Sequence, residues 1–255
     1  MSVRTARPTV AELRAATQPA SIFARNSGEH WAGRLYIRRF SPYLTKLFLR
    51  TPITPNGVTW LFILDGLIAA AVLTLPGIWP PIAAVVLIQL QIALDCSDGE
   101  LARWLDRRSP AGIYLDRVGH WLTETALPIA LGIRADGGWD DIGTYTTLGC
   151  LAAILQLLIK GFGALVTVAR AESGLHVAAD TAAVATPRGG GLRSLRRALS
   201  FAPFFRVFVA MEFTLLALVA EIVDANRFLV VALVAIGAVT AAGRIVAVLA
   251  SSRLR

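Results

Sequence analysis

The chain has 255 residues, 55% of them hydrophobic and only 16% charged, with a formal net charge of +8 and a mean hydropathy of +0.61. A water-soluble domain of this length rarely runs so apolar, so the composition argues for a polytopic membrane protein. All the cations except Lys46 and Lys160 are arginines, and they cluster between apolar stretches, which fits membrane topology better than a nucleic-acid-binding face.

Residues 1–54 read as a polar, basic, cytoplasmic or interfacial segment, without the apolar core and small-residue cleavage site of a signal peptide. Thr9 to Glu12 has capping-box spacing after Pro8. Further on, Trp31, Leu35, Tyr36, Leu44, Leu47 and Phe48 interleave with Arg34, Arg38, Arg39, Lys46 and Arg50. That pattern suits an amphipathic helix in the headgroup plane, serving either as a positive-inside anchor or as a docking surface for substrate.

Six apolar stretches follow, at 58–76, 79–98, 111–133, 145–169, 204–223 and 227–250. Each is close to the ~20 residues needed to cross ~30 Å of hydrocarbon, so 55–250 is expected to be an all-α domain of six membrane-spanning helices. Residues 1–50 carry nine Lys and Arg, the turn after the second span has Arg103, Arg107 and Arg108, and the 170–206 segment has six arginines. The alternate loops offer only Arg134 and Arg227. The positive-inside rule then puts both termini and the 99–110 turn in the cytoplasm, with the chain in the inner or plasma membrane. The 171–203 loop, with Pro187 and Gly189 to Gly191, is expected to be mobile. Cys96 and Cys150 lie in or beside apolar segments and argue against a disulfide framework or a thiolate zinc site.

The chemistry lies where the second and third spans meet. Asp95, Asp98, Gly99, Ala102 and Asp106 are spaced to form one stripe on a helix. Gly99 and Ala102 leave room for a ligand against the backbone. Ser109 and Pro110 have the character of an N-cap and first helical residue. Gly112, Asp116 and His120 then recur every fourth residue, with Glu124 one turn deeper. An antiparallel pair of helices would gather Asp95, Asp98, Asp116 and His120. Clustered carboxylates repel unless cations sit between them, and their oxygens suit Mg²⁺ or Mn²⁺, two of which form an apparatus for displacement at phosphorus. The plainer reading is polar helix ends salt-bridged to Arg103, Arg107 or Arg117.

The run Asp95-x2-Asp98-Gly99-x2-Ala102-Arg103-x8-Gly112-x3-Asp116-x3-His120 resembles the signature of the CDP-alcohol phosphotransferases, except at its last position. Pro55-Asn56-Gly57-Val58-Thr59 is similar to a Pro-Asn-x-hydrophobic-Thr segment of the same family. The resemblance covers about 55–250. It implies six spans, a cytosolic active site, a homodimer and metal-dependent transfer of a phosphoalcohol, in this case a phosphatidyl group, from a CDP-linked donor such as CDP-diacylglycerol to an acceptor hydroxyl, with release of CMP. Carried over by position, Asp95, Asp98 and Asp116 would be metal ligands. Asn56, Thr59, Gly99, Ala102, Arg103 and Gly112 would line the nucleotide or phosphate.

The family has aspartate where this chain has His120. A neutral imidazole can act as general base near neutral pH, or as a nitrogen ligand favouring Mn²⁺ or Zn²⁺. A third reading is lost or altered turnover, with a site that still binds cytidine nucleotide, or with Glu124 substituting one turn away. Other residues carry weaker signals. Asp65 lies mid-span and is expected to pair with an arginine or Lys160. Lys160, Arg170 and Arg206 either snorkel or bind an acceptor phosphate. Gly149, Gly161 and Gly163 are candidates for a protomer interface, and His30 and His176 receive no role. A cation-linked transporter is the competing class, but no inverted repeat or broken midplane helix is visible. The acceptor alcohol is not legible.

Overall fold

In the computed structural model, residues 8–19, 31–175 and 204–250 are described, and every regular element among them is helical. They are α1 (Val10–Thr17), α2 (Arg38–Phe48), α3 (Pro55–Leu73), α4 (Trp79–Trp104), α5 (Pro110–Asp136), α6 (Thr144–Glu172), α7 (Ala210–Ile222) and α8 (Asn226–Leu249). A π-helical turn, Gly33–Ile37, leads into α2, and a 3-10 turn, Phe204–Phe208, precedes α7. His30, His176, Pro187, Gly189 to Gly191 and the arginines at 188–197 and 253–255 lie outside the described residues.

Local chemistry sets the helix ends. Thr9 and Glu12 close a reciprocal capping box on α1, at 3.2 and 2.7 Å. Thr54 Oγ1 accepts the Gly57 amide at 3.1 Å and Pro55 opens α3, while Ser109 Oγ accepts the Gly112 amide at 3.0 Å and Pro110 opens α5. At the end of α4 the Arg107 amide bonds to the Ala102 carbonyl at 2.9 Å, with Asp106 left-handed at φ 53°. Asp106 therefore belongs to the turn and not to the helical stripe expected for it.

Four helices, α3, α4, α6 and α8, are long and apolar enough to cross a membrane, with mean hydropathies of 1.7, 1.5, 2.0 and 2.3. The other two expected spans differ for visible reasons. α5 has 27 residues but carries Asp116, Arg117, His120 and Glu124 among its first fifteen. The 204–223 stretch is broken at Val209, whose extended backbone (ψ 131°) separates the 3-10 turn from the 13-residue α7, which reaches only ~20 Å.

The chain divides into two compact units, Met1–Ala69 with Ala83–Thr123, and Ala70–Ile82 with Glu124–Arg255. In the first, Val58, Phe62 and Ile63 of α3 pack on Leu94 and Leu101 of α4, with Leu44, Phe48, Leu49 and Ile53 against them. Two glycines let α5 and α4 close on α3. A Cβ at Gly119 would lie 2.3 Å from Phe62 Cε1, and one at Gly66 would lie 2.0 Å from Gln91 Nε2. Gln91 Nε2 donates instead to Thr123 Oγ1 at 2.7 Å and to the Phe62 carbonyl at 3.3 Å. This close approach gathers the N-terminal turns of α3 and α5 at the C-terminal end of α4.

In the second unit α8 packs along α6, with Leu155 Cβ 3.1 Å from where a Cβ on Gly237 would stand. Gly149 is used within the chain: a Cβ there would sit 2.5 Å from the Pro128 carbonyl oxygen and 3.1 Å from Gly132. It serves the α5–α6 contact and is not left over for a second copy. Nothing lies within 4 Å of a Cβ on Gly161, and one on Gly163 would meet Arg244 Nη2 at 2.8 Å. Lys160, expected as a partner for Asp65, contacts Glu124 at 2.8 Å instead, and Gln156 Nε2 donates to the same carboxylate at 2.7 Å. Both groups lie on facing turns of α5 and α6, where pairing satisfies a buried carboxylate and a partly buried ammonium at once. Asp65 is 8% exposed, and its Oδ2 meets no hydrogen-bond donor among the described residues. Arg206 pairs with Glu212 at 3.0 Å.

Arg134 organises the opposite helix ends. Its side chain is buried, pairs with Glu221 at 2.6 and 2.9 Å, and donates to the carbonyls of Leu73, Leu75 and Gly77. Those carbonyls include the end of α3, where helical C=O groups lack internal partners and attract a cation.

Candidate active site

The first unit holds a cavity of about 380 Å³ where α3, α4 and α5 converge. The first turns of α3 contribute Asn56 and Thr59. The last turns of α4 contribute Asp95, Asp98, Gly99, Ala102 and Arg103, and α5 contributes Gly112 and Asp116. Of the chemical residues singled out by spacing, Asp95, Asp98, Gly99, Ala102, Gly112 and Asp116 line this one cavity, while Asp106, His120 and Glu124 do not. Arg38, Arg107, Arg108, Cys96 and Ser109 complete most of the remaining wall.

The small residues are where the backbone forms the wall. A Cβ on Gly112 would come within 3.1 Å of Asn56 Oδ1, and one on Gly99 within 3.1 Å of Arg103 Nη1. Larger side chains there would fill the space between α3, α4 and α5. Arg103 is oriented from behind, its Nε donating to the Thr17 carbonyl at the end of α1 at 2.6 Å.

Asp95, Asp116 and His120 converge, with ligand atoms all within 4.8 Å of one another. His120 Nε2 is 3.6 Å from Asp95 Oδ1 and 3.7 Å from Asp116 Oδ1. The imidazole is set by Phe62, whose ring lies 5.1 Å away at 58°. Ligands held at ~2.1 Å by one octahedral ion stand ~3–4.2 Å apart, so this donor set fits a divalent cation with little adjustment. Asp98 stands one turn along α4 from Asp95, 9% exposed, and accepts the Thr59 hydroxyl at 2.7 Å. Thr59 in turn is positioned within α3, its Oγ1 also 3.1 Å from the Pro55 carbonyl. Three like charges in one cavity repel strongly unless cations lie among them.

Glu124, whose substitution for an aspartate was one sequence reading, is engaged within the second unit by Gln156 Nε2 at 2.7 Å and Lys160 Nζ at 2.8 Å.

No family model matches the chain. It is similar to the bifunctional IPC transferase and DIPP synthase of Aquifex aeolicus (strain VF5). The two are 34% identical over 102 residues, which is 40% of this chain. The chain spans only 22% of that relative's length.

Sequence reasoning missed Glu100 and the role of Arg38. Glu100 is fully buried and lies off the Asp95–Ala102 stripe. It accepts from Ser41 Oγ at 2.5 Å, Thr45 Oγ1 at 2.7 Å and Gln18 Nε2 at 2.8 Å, with Arg38 Nη1 at 3.6 Å. The available signal was in α2: Ser41 and Thr45 share one face, and Phe40, Tyr43 and Leu47 are exposed. A helix that buries hydroxyls and exposes aromatics has a polar partner to meet.

Proposed function

We propose that this chain is an integral membrane phosphotransferase that moves a phosphoalcohol group from a CDP-linked alcohol to an acceptor hydroxyl and releases CMP. The observation that carries the reading is the single cavity walled by Asn56, Thr59, Asp95, Asp98, Gly99, Ala102, Arg103, Gly112 and Asp116. The Aquifex relative is named as a transferase and a synthase, which agrees with group transfer. The preferred donor is CDP-diacylglycerol, the preferred topology has six spans with the cavity facing the cytoplasm, and the protein works as a homodimer.

In the reaction the acceptor oxygen bonds to the phosphorus bearing the alcohol, the bond from that phosphorus to the CMP oxygen breaks, and the hydroxyl proton passes to solvent water. Asp95, Asp116 and His120 would hold one Mg²⁺ or Mn²⁺, and Asp98 with Asp95 a second. Bound there, the ions would neutralise diphosphate charge and polarise the phosphoryl oxygens. Thr59 fixes the Asp98 carboxylate, and Gly99 and Gly112 keep the backbone open to the nucleotide. Arg103 offers its Nη atoms to phosphate while the Thr17 carbonyl holds its Nε. Such catalysis rests on positioning and charge more than on covalent steps. For His120 this geometry favours the ligand reading over the base: Nε2 faces both carboxylates, and the ring is not part of the cavity wall.

The test is CMP release by the purified protein in detergent, with Mg²⁺ or Mn²⁺, CDP-diacylglycerol or soluble CDP-alcohols, and a pool of acceptors. Release that chelator and Asp95→Asn both abolish is expected. Cytidine-nucleotide binding without release from any donor would overturn the transferase reading in favour of a binding protein.

A further inference from the structure

We infer that the segment ahead of the first span is part of the site: α2 supplies Arg38 to the cavity wall as a second phosphate-binding guanidinium, and Glu100 is the positioning residue that holds it there. The identity of the phosphate rests on the transferase reading; the anion site itself does not.

Arg38 sits at the first residue of α2, its side chain 14% exposed, in the wall of the cavity that Asp95, Asp98 and Asp116 line from the other helices. Glu100 lies behind that wall. A buried carboxylate is costly unless its lone pairs are met. Three neutral donors, Ser41, Thr45 and Gln18, meet those of Glu100, so it forms a fixed anion on which a cation can be aimed. Neutral donors satisfy the oxygens without cancelling the charge. The Arg38 guanidinium is planar, with donors on more than one edge. One edge lies toward Glu100 at 3.6 Å, and the group also borders the cavity.

The end of α1 ties this arrangement to the other arginine. Gln18 Nε2 bridges the Arg38 carbonyl, at 2.9 Å, and Glu100, at 2.8 Å, while the neighbouring Thr17 carbonyl takes Arg103 Nε at 2.6 Å. One helical end thus holds the Arg103 guanidinium directly and, through the Arg38 carbonyl and the Glu100 carboxylate, the surroundings of the Arg38 guanidinium, both arginines lining one cavity. Paired guanidiniums suit the oxygens of a phosphate or diphosphate, which they can bridge. Those oxygens belong either to the donor's diphosphate or to a phosphate carried by the acceptor.

The experiment is calorimetric titration of the full-length protein in detergent, with Mn²⁺ present and two probes. Inorganic pyrophosphate stands for the donor and inorganic phosphate for an acceptor phosphate. Arg38→Ala is expected to weaken one of the two by about 10–100-fold, the probe affected naming the source, and Arg38→Lys by less, since it keeps the charge but loses the fork. Arg39→Ala, an exposed neighbour, leaves both unchanged. Glu100→Gln should weaken the same probe about 3–10-fold, and the Arg38→Ala/Glu100→Gln double variant should be no weaker than Arg38→Ala alone. Equal affinities for wild type and Arg38→Ala, or no binding of either probe by wild type, would overturn the anion site. Additive losses in the double variant would overturn the positioning role of Glu100. CMP release is read separately: binding that depends on Arg38 in a protein that never releases CMP sinks the transferase reading and leaves the anion site standing.

Discussion

Arg134→Met should be among the most destabilising changes available outside the cavity. The Arg134 side chain is 4% exposed, and the substitution leaves the Glu221 carboxylate without its cation and the Leu73, Leu75 and Gly77 carbonyls without their donor. Asn226 Nδ2 still donates to Glu221 at 2.6 Å, so the loss is large but partial. Breaking one side of a buried ion pair costs about 3–5 kcal/mol. For a chain of this length, at about 2–4 °C per kcal/mol, the midpoint of thermal unfolding should fall by about 6–20 °C. Intrinsic tryptophan fluorescence on heating in detergent reads it, because Trp139 Nε1 donates to Thr74 Oγ1 at 2.8 Å beside the same carbonyls. Adding Glu221→Leu removes the stranded charge and should recover most of the loss. A drop of less than about 2 °C in the single variant would refute the account. So would a double variant as unstable as the sum of the singles. Either result would return Arg134 to the role of a plain topological charge.

Three further outcomes are expected. Gly119→Ala puts a Cβ 2.3 Å from Phe62 Cε1 and should cost about 1–3 kcal/mol, less in a Phe62→Leu background; equal costs in both backgrounds would show that the α3–α5 contact is not what requires the glycine. On the proposed transferase reading, His120→Asp, which puts in the aspartate of the CDP-alcohol phosphotransferase signature, should retain CMP release and shift activation from Mn²⁺ toward Mg²⁺, whereas unchanged metal preference would remove His120 from the ligand set. Asp136 caps the first turn of α6 and should make stability fall on acidification. Its partial burial pushes the carboxyl up, but bonds from the Thr146 hydroxyl and the Thr146, Tyr145 and Gly143 amides outweigh it and hold the pKa below the ordinary aspartate value. A depressed folded-state pKa gives stability that is full above the unfolded value of about 3.9 and is lost as pH falls through the folded one. The stability gap between wild type and Asp136→Asn should therefore shrink below about pH 4, and a constant gap would count against the cap.

Much of the site was legible because it is local. A period of 3.6 residues puts Asp95, Asp98, Gly99 and Ala102 on one face of α4, and Gly112 and Asp116 on one face of α5, whatever the rest of the chain does. Ser109 and Pro110 stop and restart the backbone so that these faces meet, and all six residues line one cavity. Asp106 failed the same extrapolation because periodicity says nothing about where a helix ends: α4 stops two residues earlier, at Trp104, and Asp106 itself takes the left-handed turn.

Hydropathy alone determined that this chain is built from long apolar helices, and spacing alone determined which carboxylates would face one another, since both follow from backbone geometry within a few turns. Only the tertiary structure decided the partners of the charges off those faces. Glu100 meets Ser41 and Thr45 from 59 and 55 residues away, Arg134 meets Glu221 from 87, and Lys160 takes Glu124 in preference to Asp65. A buried charge must find a donor or a counter-charge somewhere, but which one it finds depends on how helices stack, and no local repeat in the sequence encodes that.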